Sequence, residues 1–378
     1  MPADRETKQE WLNQLCDEIL EASIPDDLKD AGSLAIDWTD AEAWIKNRRS
    51  PDPDAGWGRR RRRGPGSEKD DFFYGFHEHL VILIPDEDHP SVPELVRRTE
   101  LHTASQDTAR HGLQILERLH SQGVPPGDLV ADAGYSYANG WTLRVHELGY
   151  RPTVDLHPSD RGMQGTVHGA LLIDNHLYCP RLPDQLKELD PTDTTKRDLR
   201  NPYRFQTKGR PNRQGDQRHT CPAAAGKLRC PLVPESLSLP HTKPTIDEAP
   251  NHPPAVCRQK TITIKRTERG KNPQTHPYGT TAWKNSYNRR TTAERGFARS
   301  KDNLTGHLTH PAIRSQGLTK HRLIRTLIYL NNNLRILALD KWNHHTHNPT
   351  PTNPQPTNQP HPHQTNTTSQ PTANSPPP

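Results

Sequence analysis

The amino-acid sequence predicts an α/β fold, and three observations support this prediction. Short apolar segments of strand length recur within the first 156 residues. Two segments with helical periodicity lie between them. A strongly apolar helical segment, GLTKHRLIRTLIYLNNNLRILAL, follows near the end of the patterned part of the chain. Strands that alternate with helices favour a sheet covered by helices, with right-handed crossovers between parallel strands.

The first 156 residues divide into an N-terminal helical segment, residues 1–32, and the first part of a core, residues 33–156. One apolar stripe over residues 6–22 predicts a helix in the N-terminal segment. The core elements predicted in chain order are strands over 33–38, 74–85 and 91–101, a helix over 103–122, a strand over 128–132, a helix over 141–150 and a strand over 151–156.

The character of the sequence changes over residues 157–280, where turn-forming residues multiply. Within this segment, ALLIDNHLYC (170–179) predicts a hairpin, and the alternation in KTITIKRT (260–267) predicts a strand. We therefore expect a β- and loop-rich insertion, after which helices over residues 281–342 complete the core.

The last segment, residues 343–378, contains ten prolines and no Leu, Ile, Val or Phe. Such a composition cannot bury enough apolar surface to offset the entropy of ordering, so the sequence predicts a disordered tail. The tail explains part of the low hydrophobic fraction of the whole chain, which is 30%.

The charge distribution favours an anionic partner. The formal net charge is +6, and the positive residues are clustered. Arg59–Arg63 form an unbroken run that predicts a cationic loop, either in contact with phosphates or simply solvated. A second basic segment, residues 196–218, contains Tyr203 and Phe205 and could follow a nucleic-acid strand or form a polar loop.

Composition also indicates the cellular compartment. No apolar run approaches the roughly 18 residues that a membrane span needs, and the N-terminus MPADRETKQEW does not resemble a signal peptide. Five cysteines, an odd number, argue against a secreted disulfide framework. We therefore expect a cytoplasmic protein without a membrane partner.

Four of the cysteines fall in the predicted insertion, at positions 179, 221, 230 and 257. Four cysteines suggest a structural zinc site. None of their spacings is the close CxxC pair typical of such sites, so separate reduced thiols are the favoured interpretation.

Four residues near the end of the chain carry the most informative pattern: Tyr287, Arg290, Glu294 and Lys301, here called the signature residues. On one continuous helix their side chains would project within an arc of roughly 60°. A helical face with one carboxylate among cations suits a metal ion beside phosphates. The alternative is a solvated face of mixed charge, in which Lys301 is an ordinary surface lysine.

Two aspartates elsewhere follow apolar segments of strand length. Asp37 ends SLAID and Asp132 ends DLVAD. A charge at such a position is costly unless it is paired or binds a cation, so we expect both to converge with Glu294. The alternatives are that Asp37 caps a helix starting in WTDAEAW, and that Asp132 is only a turn residue.

These motifs resemble those of DDE-type transposases of bacterial insertion sequences, in the branch with a Tyr-x2-Arg-x3-Glu-x6-Lys signature. The signature residues match that pattern without a gap. ADAGY (131–135) is similar to the second-aspartate motif of the family, and AIDWT (35–39) to the first. The resemblance covers about residues 33–340, and 95 and then 162 residues separate the three acidic positions.

The resemblance implies an RNase H-like catalytic core. Its first strand would carry Asp37, its fourth strand would end at Asp132, and Glu294 would lie on a helix after a β-rich insertion. The implied catalytic residues are also the implied ligands of two Mg²⁺ ions, for which Mn²⁺ could substitute: Asp37, Asp132 and Glu294. The implied activity is cleavage and strand transfer of DNA by phosphodiester hydrolysis and transesterification.

The expected partner is double-stranded DNA, both transposon ends and target, bound by a homodimer associated with the nucleoid. The residues expected to contact DNA are Tyr287, Arg290, Lys301, Arg59, Arg60, Arg61, Arg62 and Arg63. Two alternatives remain: a DNA-binding remnant without activity, and a nuclease of the same fold without strand joining. Only 36 residues precede Asp37, which favours a truncated or divergent copy of such a transposase. Residues 157–282 lack tryptophan, so no hairpin intermediate is predicted.

Overall fold

The computed structural model describes residues 5–44, 51–60, 71–190, 192–248, 251–309 and 312–347. The chain forms two compact units, Met1–Ala338 and Leu339–Pro378. The first unit is a mixed α/β structure in which helices flank a mixed sheet. The predicted α/β class is therefore confirmed.

The central sheet has six strands: β1 (Leu34–Glu42), β2 (Gly56–Arg60), β3 (Asp71–Leu83), β4 (Val96–Thr103), β5 (Asp128–Ala131) and β6 (Arg151–Val154). β3 pairs antiparallel with β1 along one of its edges. Along its other edge, β3 pairs antiparallel with β2 in its first half and with β4 in its second half. β1 pairs parallel with β5, and β5 pairs parallel with β6. Parallel neighbours end at the same edge of the sheet, so residues that follow β5 and β6 lie beside β1.

The helices described by the structure are α1 (Arg5–Glu21), α2 (Thr108–Ser121), α3 (Ala133–Ser136), α4 (Trp141–Glu147), α5 (Thr194–Arg200), α6 (Thr281–Asn288), α7 (Thr291–Lys301) and α8 (Leu318–His347). Alternate residues of β1 face two layers. Leu34 and Ile36 pack into the core that includes Ile115 and Leu116 of α2. Ala35 packs with Ala293 of α7. Asp37, the next residue on that second face, is thereby directed toward α7.

β1 is longer than the predicted strand and excludes a helix in WTDAEAW. Its nine residues pair with β3 without interruption, from Leu34 opposite Leu83 to Glu42 opposite Gly75. The pairing and burial of this strand override the helical preference of Ala41 and Glu42. The interpretation of Asp37 as a helix cap is therefore wrong.

Helix α2 begins later than predicted, because β4 continues to Thr103 and a capping residue follows. The Asp107 side chain accepts hydrogen bonds from the backbone N–H groups of Ala109 and Arg110, at 3.0 and 3.3 Å. These bonds satisfy two donors that the first turn of a helix leaves unpaired. The predicted pairing of the 91–101 segment with the preceding strand is confirmed.

Between β6 and α6 lie two three-stranded antiparallel sheets. Their strands are β7 (Met163–Val167), β8 (Ala170–Ile173), β9 (His176–Tyr178), β10 (Gln206–Thr207), β11 (Gln217–Thr220) and β12 (Thr261–Ile264). The hairpin predicted over 170–179 is present as β8 and β9. Its turn residues Asp174 and Asn175 have φ angles of 47° and 65°, the left-handed region that two-residue hairpins require.

The signature residues do not share one helix, which corrects the prediction of a single helical face. Tyr287 lies on α6, Arg290 lies in the short turn that follows, and Glu294 and Lys301 lie on α7. In the turn, the Arg290 N–H donates to the Tyr287 carbonyl at 2.9 Å, an i to i−3 bond tighter than the α-helical one. The β-branched pair that follows, Thr291 and Thr292, has low helix propensity and favours this break.

Candidate functional site

Asp37 lies within the sheet and is 8% exposed. Its Oδ1 accepts the backbone N–H of Trp38 at 2.8 Å, and its Oδ2 accepts Nη1 of Arg290 at 3.1 Å. The carboxyl group is thus held between its own strand and the turn that precedes α7.

Asp132 follows directly after β5, the parallel neighbour of β1. Ile36 pairs with Ala131, so Asp37 and Asp132 are the next residues along adjacent strands. Asp132 is the N-cap of α3, and its Oδ1 accepts the N–H of Gly134 at 2.7 Å. Asp132 thus caps a short helix, and this cap sets its carboxyl group at the carboxyl edge of the sheet.

Glu294 lies in the first turn of α7, with half of its side chain exposed. Its Oε1 accepts Nη2 of Arg290 at 2.6 Å. Because Nη1 of the same guanidinium contacts Asp37, Arg290 bridges two of the predicted carboxylates. The structure therefore brings together residues that lie 257 positions apart in the sequence, Asp37 and Glu294.

The electrostatics of Asp37 report an excess of negative charge. Burial raises the pKa of its carboxyl group to about 7, and the neighbouring Asp132 and Glu294 add to the rise. The Trp38 N–H and the Arg290 guanidinium act in the opposite direction without cancelling it. A pKa this far above the ordinary value marks a group that would gain from a nearby cation.

The chemistry of the three carboxylates fits a hard divalent cation. All of their donor atoms are oxygens, which Mg²⁺ prefers, and the raised pKa of Asp37 shows that the charge there is incompletely neutralised. No three His, Cys, Asp or Glu side chains among the described residues form a metal-holding group. At the carboxylates, the Arg290 guanidinium lies between Asp37 and Glu294.

The other two signature residues flank this cluster. The Tyr287 ring stacks on the Trp283 ring, with 4.6 Å between the ring centroids. The guanidinium carbon of Arg290 lies 5.6 Å from the centroid of the Tyr287 ring. Burial raises the pKa of Tyr287 to about 12, so its hydroxyl is a hydrogen-bond donor at neutral pH. Lys301 Nζ donates to Thr39 Oγ1 at 3.0 Å, two residues along β1 from Asp37.

The predicted cationic loop is only partly described. Arg59 and Arg60 belong to β2, so they form a strand and not a loop. Arg60 contacts Asp40 at 2.5 Å and Glu42 at 2.7 Å, and these carboxylates neutralise it. Arg61, Arg62 and Arg63 lie outside the described residues.

The basic segment 196–218 is partly buried. Arg197 and Arg200 are almost fully buried, and both contact Asp174. Tyr203 and Phe205 are also buried, in the cores of the two small sheets. Burial and pairing thus remove two of its arginines and both aromatic residues from the surface, whereas Lys196, Lys208, Arg210, Arg213 and Arg218 are exposed. All five cysteines of the chain are free thiols.

Asp155 is a fourth carboxylate at this edge that the sequence reading missed. It follows β6 directly, and it accepts hydrogen bonds from the Tyr278 hydroxyl at 2.9 Å and from Arg161 at 3.1 Å. Its charge is among those that raise the pKa of Tyr287, so it lies near the cluster. The signal was present in RPTVD, a short strand that ends in an aspartate like the other two.

Comparisons with known proteins leave the chain without an assigned relative: no family model, no curated protein and no solved structure matches it. Among the described helices, none has the length and apolar character needed to cross a membrane.

Proposed function

We propose that this protein is a DDE-type transposase that cuts DNA and joins the cut ends to a target. The observation that carries the proposal is the convergence of three acidic residues, each predicted from sequence, at one edge of the central sheet. Asp37 and Asp132 are adjacent across parallel strands, and Arg290 connects Asp37 to Glu294. A random set of surface charges would not meet in this order.

The topology supports an RNase H-like core for the same reason. The resemblance implies a mixed sheet flanked by helices, with one aspartate on the first strand and a second at the end of the fourth strand. In chain order Asp132 instead follows the fifth strand, because the short strand β2 lies between β1 and β3. Asp37 is on β1, and Asp132 follows β5, the parallel neighbour of β1. Glu294 is on a helix that follows two small β-sheets, as an inserted segment would require.

Asp37, Asp132 and Glu294 are the residues that would hold Mg²⁺. Bound Mg²⁺ supplies charge neutralisation at a phosphodiester and an activated oxygen nucleophile, water for cleavage or a DNA 3′-hydroxyl for joining. The protein's own contribution is to fix three oxygen ligands on two strands and one helix, which keeps their positions independent of mobile loops.

Arg290 has two functions in this proposal. In the structure its guanidinium neutralises Asp37 and Glu294 and holds their side chains in one arrangement. When DNA binds, the same planar group can bind a phosphate beside the scissile bond, since guanidinium binds phosphate and carboxylate with the same fork. Lys301 and the Tyr287 hydroxyl supply further donors for the DNA backbone.

A strand-cleavage assay tests the proposal. A labelled duplex made from the DNA that flanks the gene is incubated with the protein and Mg²⁺, with EDTA in a parallel reaction. We expect Mg²⁺-dependent nicking and joined products from the wild type, and neither from Asp37→Asn. The matched control is Asp184→Asn, which removes a carboxylate that is 92% exposed in the insertion.

The outcomes separate the alternatives. Cleavage without joining identifies a nuclease, and binding without cleavage identifies a DNA-binding remnant. If Asp37→Asn retains Mg²⁺-dependent cleavage, the assignment of the catalytic carboxylates is wrong. Sedimentation of the DNA complex tests whether the active form is a homodimer.

A further inference from the structure

A second cavity lies away from the carboxylates, between the end of the core sheet and the inserted sheets. Its volume is about 410 Å³, within the range of small-ligand sites. Residues of α4 and β6 form one wall, including His146 and Arg151. Residues of the insertion form the rest, including His176, Arg204 and His219.

The lining of this cavity is strongly cationic. Four arginines contribute to it: Arg151, Arg204, Arg210 and Arg269. Three histidines join them: His146, His176 and His219. Within the part of the chain that the structure describes, no Asp or Glu lines the cavity. Among the described residues, the one carboxylate that forms an ion pair with any of these arginines is Asp128, which contacts Arg151 at 2.7 Å.

Several buried polar atoms of the lining have no hydrogen-bond partner among the described residues. They are His176 Nε2, Arg204 Nε, His219 Nδ1 and Gln274 Nε2. His176 and Gln274 are themselves 8% and 5% exposed. Buried polar atoms are almost always paired in folded proteins, so four at one cavity indicate a missing polar partner.

The charge environment shows the sign of that partner. Burial lowers the pKa of Arg204 and, with Arg204 and Arg200 nearby, lowers that of His176. Burial and the neighbours Arg269 and Arg204 lower the pKa of His219 to about 4. Burial disfavours the charged form of Arg204 and keeps both histidines neutral at neutral pH, and a bound anion would stabilise the arginine charges.

We propose that this cavity binds a phosphate group. Donors approach it from several elements, which suits a tetrahedral anion with several acceptor oxygens, and arginine is the side chain best matched to phosphate. The phosphate can belong to a free nucleotide or to a DNA strand end. The second source rests on the proposed function, whereas phosphate binding itself does not.

Calorimetric titration without Mg²⁺ tests the proposal. The probes are inorganic phosphate, AMP, and a short duplex with either a 5′-phosphate or a 5′-hydroxyl. Two variants alter the cavity, Arg204→Gln inside it and Arg210→Gln at its exposed rim. The matched control is Arg218→Gln, an exposed arginine on β11 next to His219 and outside the lining.

We expect phosphate or AMP to bind the wild type and the control equally, and to bind Arg204→Gln about tenfold more weakly, since one charge-assisted pair is lost. Arg210→Gln gives a smaller loss in the same direction and keeps the test valid if Arg204→Gln does not fold. A preference for the 5′-phosphorylated duplex identifies a DNA end as the source, and equal duplex binding identifies a free ligand.

The proposal is overturned if every probe binds the wild type more weakly than about 10 mM. It is also overturned if both cavity variants bind phosphate as the wild type does. Because no cleavage is measured, a failure of the transposase assay has no bearing on these results.

Discussion

Two buried acidic positions of the central sheet differ in how their charge is neutralised. Glu100 on β4 is 5% exposed and Asp37 on β1 is 8% exposed. Glu100 accepts Arg118 Nη2 at 2.5 Å, contacts His111 at 3.2 Å, and lies 3.8 Å from Arg322. Asp37 has one shared arginine and two carboxylate neighbours.

The same degree of burial therefore has opposite consequences. The cations around Glu100 outweigh its desolvation and hold its pKa well below the ordinary value. At Asp37, burial and like charges prevail and raise the pKa to about 7. The first cluster is neutralised by its own cations, whereas the charged form of Asp37 is disfavoured, as expected for a group that the proposed function pairs with a cation. The predictions below test this contrast.

The largest effect is expected from Asp37→Asn on cleavage. Loss of a metal ligand removes several kcal/mol of transition-state stabilisation, so single-turnover cleavage should fall at least about 1,000-fold. The free energy of unfolding at pH 8 should stay the same or rise, because an unfavourable buried charge is removed. A large loss of stability in urea unfolding would show that Asp37 is structural like Glu100.

Glu100→Gln should have the opposite profile. It removes one of the two buried carboxylates that face Arg118 and Arg322, the other being Asp17, so the free energy of unfolding should fall by about 3 kcal/mol. Urea unfolding measures the loss, and DNA cleavage by the folded fraction provides the control. If cleavage per folded molecule falls as far as in Asp37→Asn, the two clusters are not functionally distinct.

The two groups should also give pH dependences of opposite sign in EDTA. The raised pKa of Asp37 means that the folded protein binds more protons than the unfolded chain between about pH 4 and 7. The contribution of the Asp37 carboxyl group to the free energy of unfolding is present at low pH and is lost as the pH rises through 7. The stability of the wild type relative to Asp37→Asn should fall by about 2 kcal/mol between pH 5 and 8.

Glu100 provides the contrast. Burial alone would raise its pKa, but the attraction of its cationic partners is larger and lowers the pKa. Its contribution is present above its ordinary value of 4.5 and is lost as pH falls below it. The stability of the wild type relative to Glu100→Gln should therefore fall toward acid pH. Parallel pH curves for the two variants would contradict the assignment of opposite shifts.

Arg290→Gln sharpens the comparison because it removes the one cation shared by Asp37 and Glu294. Cleavage should fall about tenfold to 100-fold, through loss of both carboxylate positioning and phosphate binding. The adjacent Arg289 is a matched control, since it pairs with Asp128 at 2.9 Å and not with the candidate ligands. Arg289→Gln should reduce stability while leaving single-turnover cleavage within a few-fold of the wild type.

The features of the candidate site that depend on local sequence patterns could be predicted, whereas those that depend on contacts between distant residues could not. Asp37 and Asp132 were predictable as candidates because each ends a short apolar segment, which is a local pattern. The structure places Asp132 directly after β5, whereas Asp37 lies within the longer strand β1. The bridge made by Arg290 was not predictable, because it depends on a break between α6 and α7 that a regular helical projection does not contain.

Long-range pairing also determines which charged side chains are buried. Arg97 and Arg98 sit in a strand that reads as polar, yet they are 1% and 2% exposed because Glu21 of α1 contacts both. Arg197 and Arg200 belong to the segment predicted either to follow a nucleic-acid strand or to form a polar loop, yet both are buried and paired with Asp174. The sequence shows which residues are charged but not which of them form ion pairs. Paired and unpaired cations therefore cannot be distinguished until the fold is known.

Asp155 offers the finest test, because it is intermediate between the two clusters. It lies at the edge with Asp132, yet Tyr278 and Arg161 already bind its Oδ1. Asp155→Asn should reduce the free energy of unfolding by about 1 kcal/mol, since it weakens two hydrogen bonds without burying a new charge. Cleavage should fall less than tenfold, because its pairing marks it as a positioning residue. A loss as large as that of Asp37→Asn, at unchanged stability, would instead place Asp155 among the cation ligands.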